Sequence, residues 1–302
     1  MIEAVALAAY AALVSAAAPP LLARARWAHR APATAVLAWL GLMATFVIAV
    51  ALAVYHLGLG EQHAHDGFAG LFSACGLVAG GPPAGDGPLV FGGVPVLAAP
   101  VAVVLLPAGW LVRCVRQARR ARRRQLDMLA LVGEPAPEYG ATIVDYGVPA
   151  VYCLPGRRSH VVVTRAALDV LSESQLKAVL EHERAHIAGR HHLPAVLVDA
   201  FSRAFPGLPL ARHAKEQTNL LLEMIADDHA LRLHPRETLA AAICEVAAGR
   251  APRAALGAGG SGALVRLHRV LTPQPRPHRA TWWGIVVATV VAPLLPLVAC
   301  GP

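Results

Sequence analysis

Four stretches of about 20 apolar residues constrain this chain more than any other feature, because each can cross the roughly 30 Å hydrocarbon core of a bilayer. They run approximately 2–22, 35–57, 89–112 and 281–299. Inside lipid the backbone must satisfy its own polar groups, so the stretches are expected as helices. Hydrophobic residues make up 56% of the chain and charged residues 15%, with a mean hydropathy of +0.51. That balance excludes an ordinary soluble enzyme. The first stretch does not read as a secretory signal, since Glu3 stands where a basic segment belongs. Pro19 and Pro20 should end or kink it, and Trp27, Trp110, Trp282 and Trp283 fall near span ends, where amphipathic rings favour the interface.

Arginine sets the expected orientation. "ARARWAHR" follows the first span, "RCVRQARRARRRQ" follows the third and "RPHRA" precedes the fourth. Four crossings put all three on one side, which is then the cytoplasm of a plasma (inner) membrane. Both termini and a loop at about 58–88, which lacks Lys and Arg, then lie outside. The expected organisation is three transmembrane helices in 1–112, a cytoplasmic domain in 113–279, and a fourth helix with a short outer tail in 280–302. The net charge of +8 and the arginines from Arg113 to Arg124 raise the question of nucleic acid. Without interleaved aromatics, they read better as a flank held against anionic lipid headgroups, and no direct nucleic-acid partner is expected.

Within 113–279, "ATIVDY", "PAVYCL" and "SHVVVT" are short β-prone runs between Gly and Pro turns, expected as a small antiparallel sheet. "TRAALDVLS" reads as a short helix capped by Thr164. In "SESQLKAVLEHERAHIAG", Ser172 and Gln175 fit a capping box, while Leu176, Val179 and Leu180 form an apolar face. "LPAVLVDAFSRAFPGLPLARH" is expected to form a helix and turn against the membrane or the core. "KEQTNLLLEMIADDHALRLH" reads as a helix of about five turns, and "AAGRAPRAALGAGGSGA" as flexible connection. The five cysteines, Cys75, Cys114, Cys153, Cys244 and Cys300, are scattered and odd in number, which suits small apolar fillers better than disulfides.

The chemistry concentrates in "LEHERAHIAGRHH", residues 180–192. On a helix His182 and His186 lie about 40° apart in direction and one turn apart in height, so both rings can face one ion. Glu183 lies about 100° around from His182, within reach of a water without being a ligand. HExxH on a helix is the arrangement in which zinc activates water and the glutamate takes the proton. Catalytic zinc needs a third protein ligand. Glu223 and Asp227, also four apart, are candidates: Glu223 to complete the coordination of one zinc ion, Asp227 to accept a hydrogen bond from a ligating imidazole. The plainer reading makes both acids a solvated helix face.

Residues 151–231, with HExxH and the "EMIAD" stretch, resemble the membrane zinc metallopeptidases of the beta-lactam sensor-transducer (BlaR/MecR) type, relatives of the HtpX-type and CAAX prenyl proteases. The resemblance implies a mainly α integral membrane protein: four transmembrane helices and a cytoplasmic zincin-like (gluzincin) α+β domain. It assigns His182, His186 and Glu223 as zinc ligands, Glu183 as base, and Asp227 to the family's E-x-x-A-D pattern. Members often carry an aspartate beyond the second histidine where this chain has His191 and His192, residues that could bind substrate or lie exposed. No penicillin-binding sensor domain is expected beyond the fourth stretch, so beta-lactam sensing is not carried over.

The function expected is a membrane-embedded zinc endopeptidase acting on a protein or peptide on the cytoplasmic side, with a BlaI-type repressor as a candidate substrate. Alternatives are an HtpX-type quality-control protease and a non-proteolytic zinc-binding signalling protein. A weaker idea concerns His63, His65 and Asp66 in the outer loop, with His56 nearby: they could bind and report on a metal, though a solvated glycine-rich loop explains them as well.

Overall fold

The computed structural model describes residues 2–59, 90–91, 94–95, 98–156, 159–250, 260–272, 279–292 and 294–296. The outer-loop histidines His63 and His65 and Asp66 lie outside them. Two apolar helices open the chain, α1 (Ile2–Ala16) and α4 (Pro32–Leu59), joined by the short helices α2 (Ala18–Ala23) and α3 (Arg26–Arg30). Pro19 and Pro20 occupy the first turn of α2, where proline's missing N–H costs nothing, so the prolines restart the helix after a break at Ala17. Glu3 lies 3.2 Å from His56, and Leu7 is buried against Leu52 and Ala53. The start of α1 therefore meets the end of α4, and the two form an antiparallel hairpin.

The third apolar segment departs from expectation at its start. Val90–Phe91 (β1) and Val94–Pro95 (β2) pair as a minute antiparallel ribbon, and the helix α5 begins only at Ala98. Gly92, Gly93 and Pro95 are poor helix formers, whereas Pro100 fits a first turn. From Ala98 the helix runs without a break through the arginines to Val132. At 1.5 Å per residue its 35 residues span about 52 Å, well over the roughly 30 Å hydrocarbon thickness of a bilayer. Among the described residues three segments are long and apolar enough to cross a membrane: Ile2–Ala23, Pro32–Leu57 and Ala98–Val132. The expected fourth, 281–299, lies partly in a helix of 13 residues, Arg279–Val291, and partly outside the described residues. This last helix docks on α4 where Gly41 leaves room. A Cβ there would stand 2.8 Å from Thr289 Cγ2.

The sheet has four strands, β3 (Gly133–Ala136), β4 (Ala141–Val144), β5 (Val151–Leu154) and β6 (His160–Thr164), in the order β3-β4-β6-β5. It is mixed rather than antiparallel, because β4 and β6 run parallel. "HVVVT" explains the difference: Val161, Val162, Val163 and Thr164 are all buried, as a strand covered on both faces requires. The most apolar strand takes a central place, and β5 pairs on its outer side as an edge. Thr164 then caps α6 (Arg165–Val170), its Oγ1 accepting from Ala167 N at 3.3 Å.

Helix α7 (Glu173–Ala188) starts on the expected capping box: Ser172 Oγ accepts from Gln175 N, and Gln175 Oε1 accepts from Ser172 N. Its Leu176, Val179 and Leu180 pack with Val151, Val161 and Val163, fixing α7 across the sheet. Next come α8 (His192–Ala204), α9 (Pro209–Ala230) and α10 (Arg236–Arg250). Pro209 gives α9 a preset first turn six residues before the expected start at Lys215. Val198 and Phe201 of α8 and Leu210, Leu221 and Met224 of α9 share one core with Trp39, Met43 and Phe46 of α4. The expected flexible connection is occupied at both ends: α10 runs to Arg250, and α11 spans Gly260–Leu271. The 13-residue helix against α4 completes the series as α12.

Candidate metal centre

Helices α7 and α9 lie side by side and antiparallel, because contacts climbing one descend the other. Glu181 meets His229 at 3.0 Å, His182 meets Asp227 at 3.0 Å, and Glu223 faces both His182 and His186. The 3.6-residue repeat puts each i, i+4 pair on a facing stripe, so four side chains converge across one interface. His182 Nε2 and His186 Nε2 stand 3.2 Å apart, and Glu223 oxygens lie 3.4 and 3.5 Å from them. Tetrahedral ligands at about 2.0–2.1 Å from zinc are separated by about 3.3 Å, close to the spacing of the two imidazoles and of each imidazole from its nearer Glu223 oxygen, so the group is compact enough to hold one such ion. Two imidazoles and a carboxylate are also the donors zinc takes in catalytic sites, with a fourth position left open.

Asp227 is fully buried and its carboxylate approaches His182 Nδ1, though the ring N–H is not aligned for a good hydrogen bond. Burial pushes the His182 imidazole down, but Asp227 and Glu223 outweigh it and take the pKa up to about 9. Burial governs His186 and brings it to about 4, with Glu223 opposing. For Glu223, burial is overcome by His182 and Arg266, leaving about 2; for Asp227, Arg266 and His182 do the same, also to about 2. Glu183 differs. It is half-buried without a cation bonded to its carboxyl, and burial raises its pKa. The carboxylate expected as base is therefore the one tuned toward holding a proton, beside two acids held ionised.

Near the centre, Arg266 was not singled out from the sequence, and Cys153 was expected only as an apolar filler. Arg266 of α11 lies 2.7 Å from Glu223 and donates to both Asp227 oxygens at 2.9 and 2.7 Å. It comes from a stretch with no recognisable motif, although its i, i+3 partner Arg269 marks a basic stripe. Arg269 fastens the same helix to Asp228 and to the carbonyl of His29. Cys153 on edge strand β5 stands beside Glu183, and its thiol is pushed up to about 12 by burial and that carboxylate. Of the expected apolar fillers, only Cys114 among the described residues is buried. His191 is 7% exposed, with Nδ1 2.8 Å from His186 Nδ1. His192 lines a cavity of about 480 Å³ that opens on the centre between α8, α9 and α11, walled partly by Ala195, Leu220 and Leu222.

No curated protein and no solved structure matches the chain significantly. A family model does: residues 116–220 match Peptidase family M48, a segment that takes in His182, Glu183 and His186 and ends before Glu223. M48 peptidases are metal-dependent, typically on zinc, and the His182–His186–Glu223 group provides a donor set of that kind. With three helices suited to a bilayer and a group of potential metal ligands beside a half-buried glutamate, the match to Peptidase family M48 supports a metallopeptidase, a hydrolase of peptide bonds, in this chain.

Proposed function

We propose that the protein is a membrane-embedded zinc endopeptidase in which His182, His186 and Glu223 hold the ion and Glu183 is the catalytic base. The observation that carries the reading is the convergence of His182 Nε2 and His186 Nε2, 3.2 Å apart, on the Glu223 carboxylate, whose Oε2 lies 3.4 Å from His182 and whose Oε1 lies 3.5 Å from His186, with Glu183 one residue from a ligand. Zinc, when bound, supplies Lewis acidity toward a carbonyl and toward water. Glu183 then accepts the proton of the attacking water and delivers it to the leaving amine, a role suited to a carboxyl whose pKa is raised by burial. Arg266 and Asp227 hold Glu223 and His182 in place. The cavity beside them, about 480 Å³, has room for an apolar side chain of the substrate and its adjoining backbone against Ala195, Leu220 and Leu222.

The arginine-rich segments support a site on the cytoplasmic face of the plasma membrane. The substrate class is a protein segment presented at that face. A BlaI-type repressor, brought in by sequence resemblance alone, is the first candidate for assay. The test uses full-length protein in detergent micelles, with zinc content and cleavage of a casein or candidate-repressor substrate measured together. Glu183→Gln should keep one zinc per chain and lose at least about 100-fold in cleavage rate. Cleavage at the parent rate by that variant would end the peptidase reading, and a parent without stoichiometric zinc would end the metal assignment.

A further inference from the structure

A histidine that binds metal through Nε2 carries its proton on Nδ1, and whatever accepts that proton's hydrogen bond fixes both tautomer and ring direction. For His186 the acceptor in place is another imidazole: His191 Nδ1, at 2.8 Å, with the two rings 4.8 Å apart and nearly perpendicular. Meeting nitrogen to nitrogen requires one defined pair of tautomers, His186 protonated at Nδ1 and His191 at Nε2.

The backbone is built to make this meeting. Helix α7 ends at Ala188, and two residues later Arg190 adopts φ 49°, alone among described non-glycine residues in taking a positive φ. That conformation is strained for a side-chain-bearing residue and persists only where its surroundings enforce it. It turns the chain so that His191 N donates to His186 O at 3.1 Å and the ring folds back over Gly189. A Cβ on Gly189 would lie 2.5 Å from His191 Nε2 and 2.7 Å from Cδ2, so only glycine leaves the ring its place. A left-handed arginine, a glycine under the ring and a buried imidazole thus all serve one contact.

On the zinc-site reading above, we infer that His191 is a positioning residue of the metal centre: its Nδ1 accepts the His186 Nδ1 proton and holds that ligand with Nε2 toward the ion. It fills with a neutral ring the place where a carboxylate or carbonyl commonly stands behind a metal-bound histidine.

The experiment uses full-length protein in detergent micelles and reads three quantities: zinc affinity by chelator competition, the visible absorption of the cobalt(II)-substituted site, and melting of the metal-free form. His191→Phe keeps a ring and removes the acceptor. It should weaken zinc about 10–100-fold and shift the cobalt spectrum. His191→Asn, whose Oδ1 can stand near the lost Nδ1, should recover most of the affinity. Gly189→Ala, which displaces the ring without deleting it, should weaken zinc as His191→Phe does, and with His191→Asn it decides the matter if His191→Phe does not fold. Parent affinity and an unshifted spectrum in either His191→Phe or Gly189→Ala would overturn the inference, as would His191→Asn and His191→Phe losing affinity equally. A parent chain without a tight zinc site would instead defeat the reading on which the inference rests.

Discussion

Removing Arg266 is the sharpest test of how the centre is held together. Its guanidinium sits between two carboxylates, donating twice to Asp227 and lying 2.7 Å from Glu223, with its side chain 17% exposed and that of Asp227 1%. In Arg266→Ala the Asp227 carboxylate stays buried and keeps only the protonated His182 ring, 3.0 Å away and poorly aligned. Breaking a buried pair by removing one partner costs about 3–5 kcal/mol, because the remaining charge loses its two well-aligned hydrogen bonds without regaining water. Lys177–Glu173 supplies the contrast, an i, i+4 pair with side chains 58% and 75% exposed and screened by water, where Lys177→Ala should leave the melting temperature nearly unchanged. At about 2–4 °C per kcal/mol for a chain approaching this size, Arg266→Ala should lower the melting temperature of the metal-free protein by roughly 6–20 °C. Tryptophan fluorescence in detergent micelles follows the transition. Adding Asp227→Asn to Arg266→Ala should cost much less than Asp227→Asn does alone, since the charge it removes is already stranded. If Arg266→Ala melts within the range of Lys177→Ala, the guanidinium is not compensating a buried charge and the reasoning fails.

The metal-free protein should also be most stable near pH 6.5. Raised to about 9 in the fold, His182 contributes stability that is complete below its ordinary value of 6.5 and lost as pH rises through 9. His186 is depressed to about 4, so its contribution is complete above 6.5 and lost as pH falls through 4, with Asp227 and Glu223 adding a further loss toward pH 2. Denaturation midpoints across pH would show this peak, and zinc should flatten its alkaline side by replacing the His182 proton; a metal-free curve flat from pH 6.5 to 9 would contradict the assignment. At the α4–α12 contact, Gly41→Val should destabilise by about 1–3 kcal/mol, since even its Cβ meets Thr289 at 2.8 Å, while Gly109→Ala on α5 meets nothing within 4 Å and should be neutral or stabilising. Equal melting temperatures for the two variants would refute that packing.

What could be read from the sequence was what is local. The Ser172–Gln175 cap, the apolar face of α7 and the i, i+4 spacing of both pairs are properties of single helices, and they lie where spacing puts them. Strand order is not local: nothing within "ATIVDY" says that its neighbour will be "HVVVT" in parallel rather than "PAVYCL". The burial of four consecutive residues in β6 decides it, and burial belongs to the assembled fold. Arg266 was hidden for a similar reason. It lies 39 positions from Asp227, just beyond a stretch whose glycines and alanines read as connection. His191 was visible as a residue but not as a partner, because its direction depends on the backbone turn at Arg190.

Met224, next in sequence to Glu223, is sealed in one core with Trp39 and Met43 of α4, a helix long and apolar enough to cross a bilayer. That helix is consequently also the backing plate of the proposed third ligand. Cutting the domain from this apolar stem would bare Val198, Phe201, Leu210 and Leu221 and let the carboxylate drift from the imidazoles. On the proposed function, the enzyme would then work only while tethered, with a reach limited to polypeptides that come to the lipid surface.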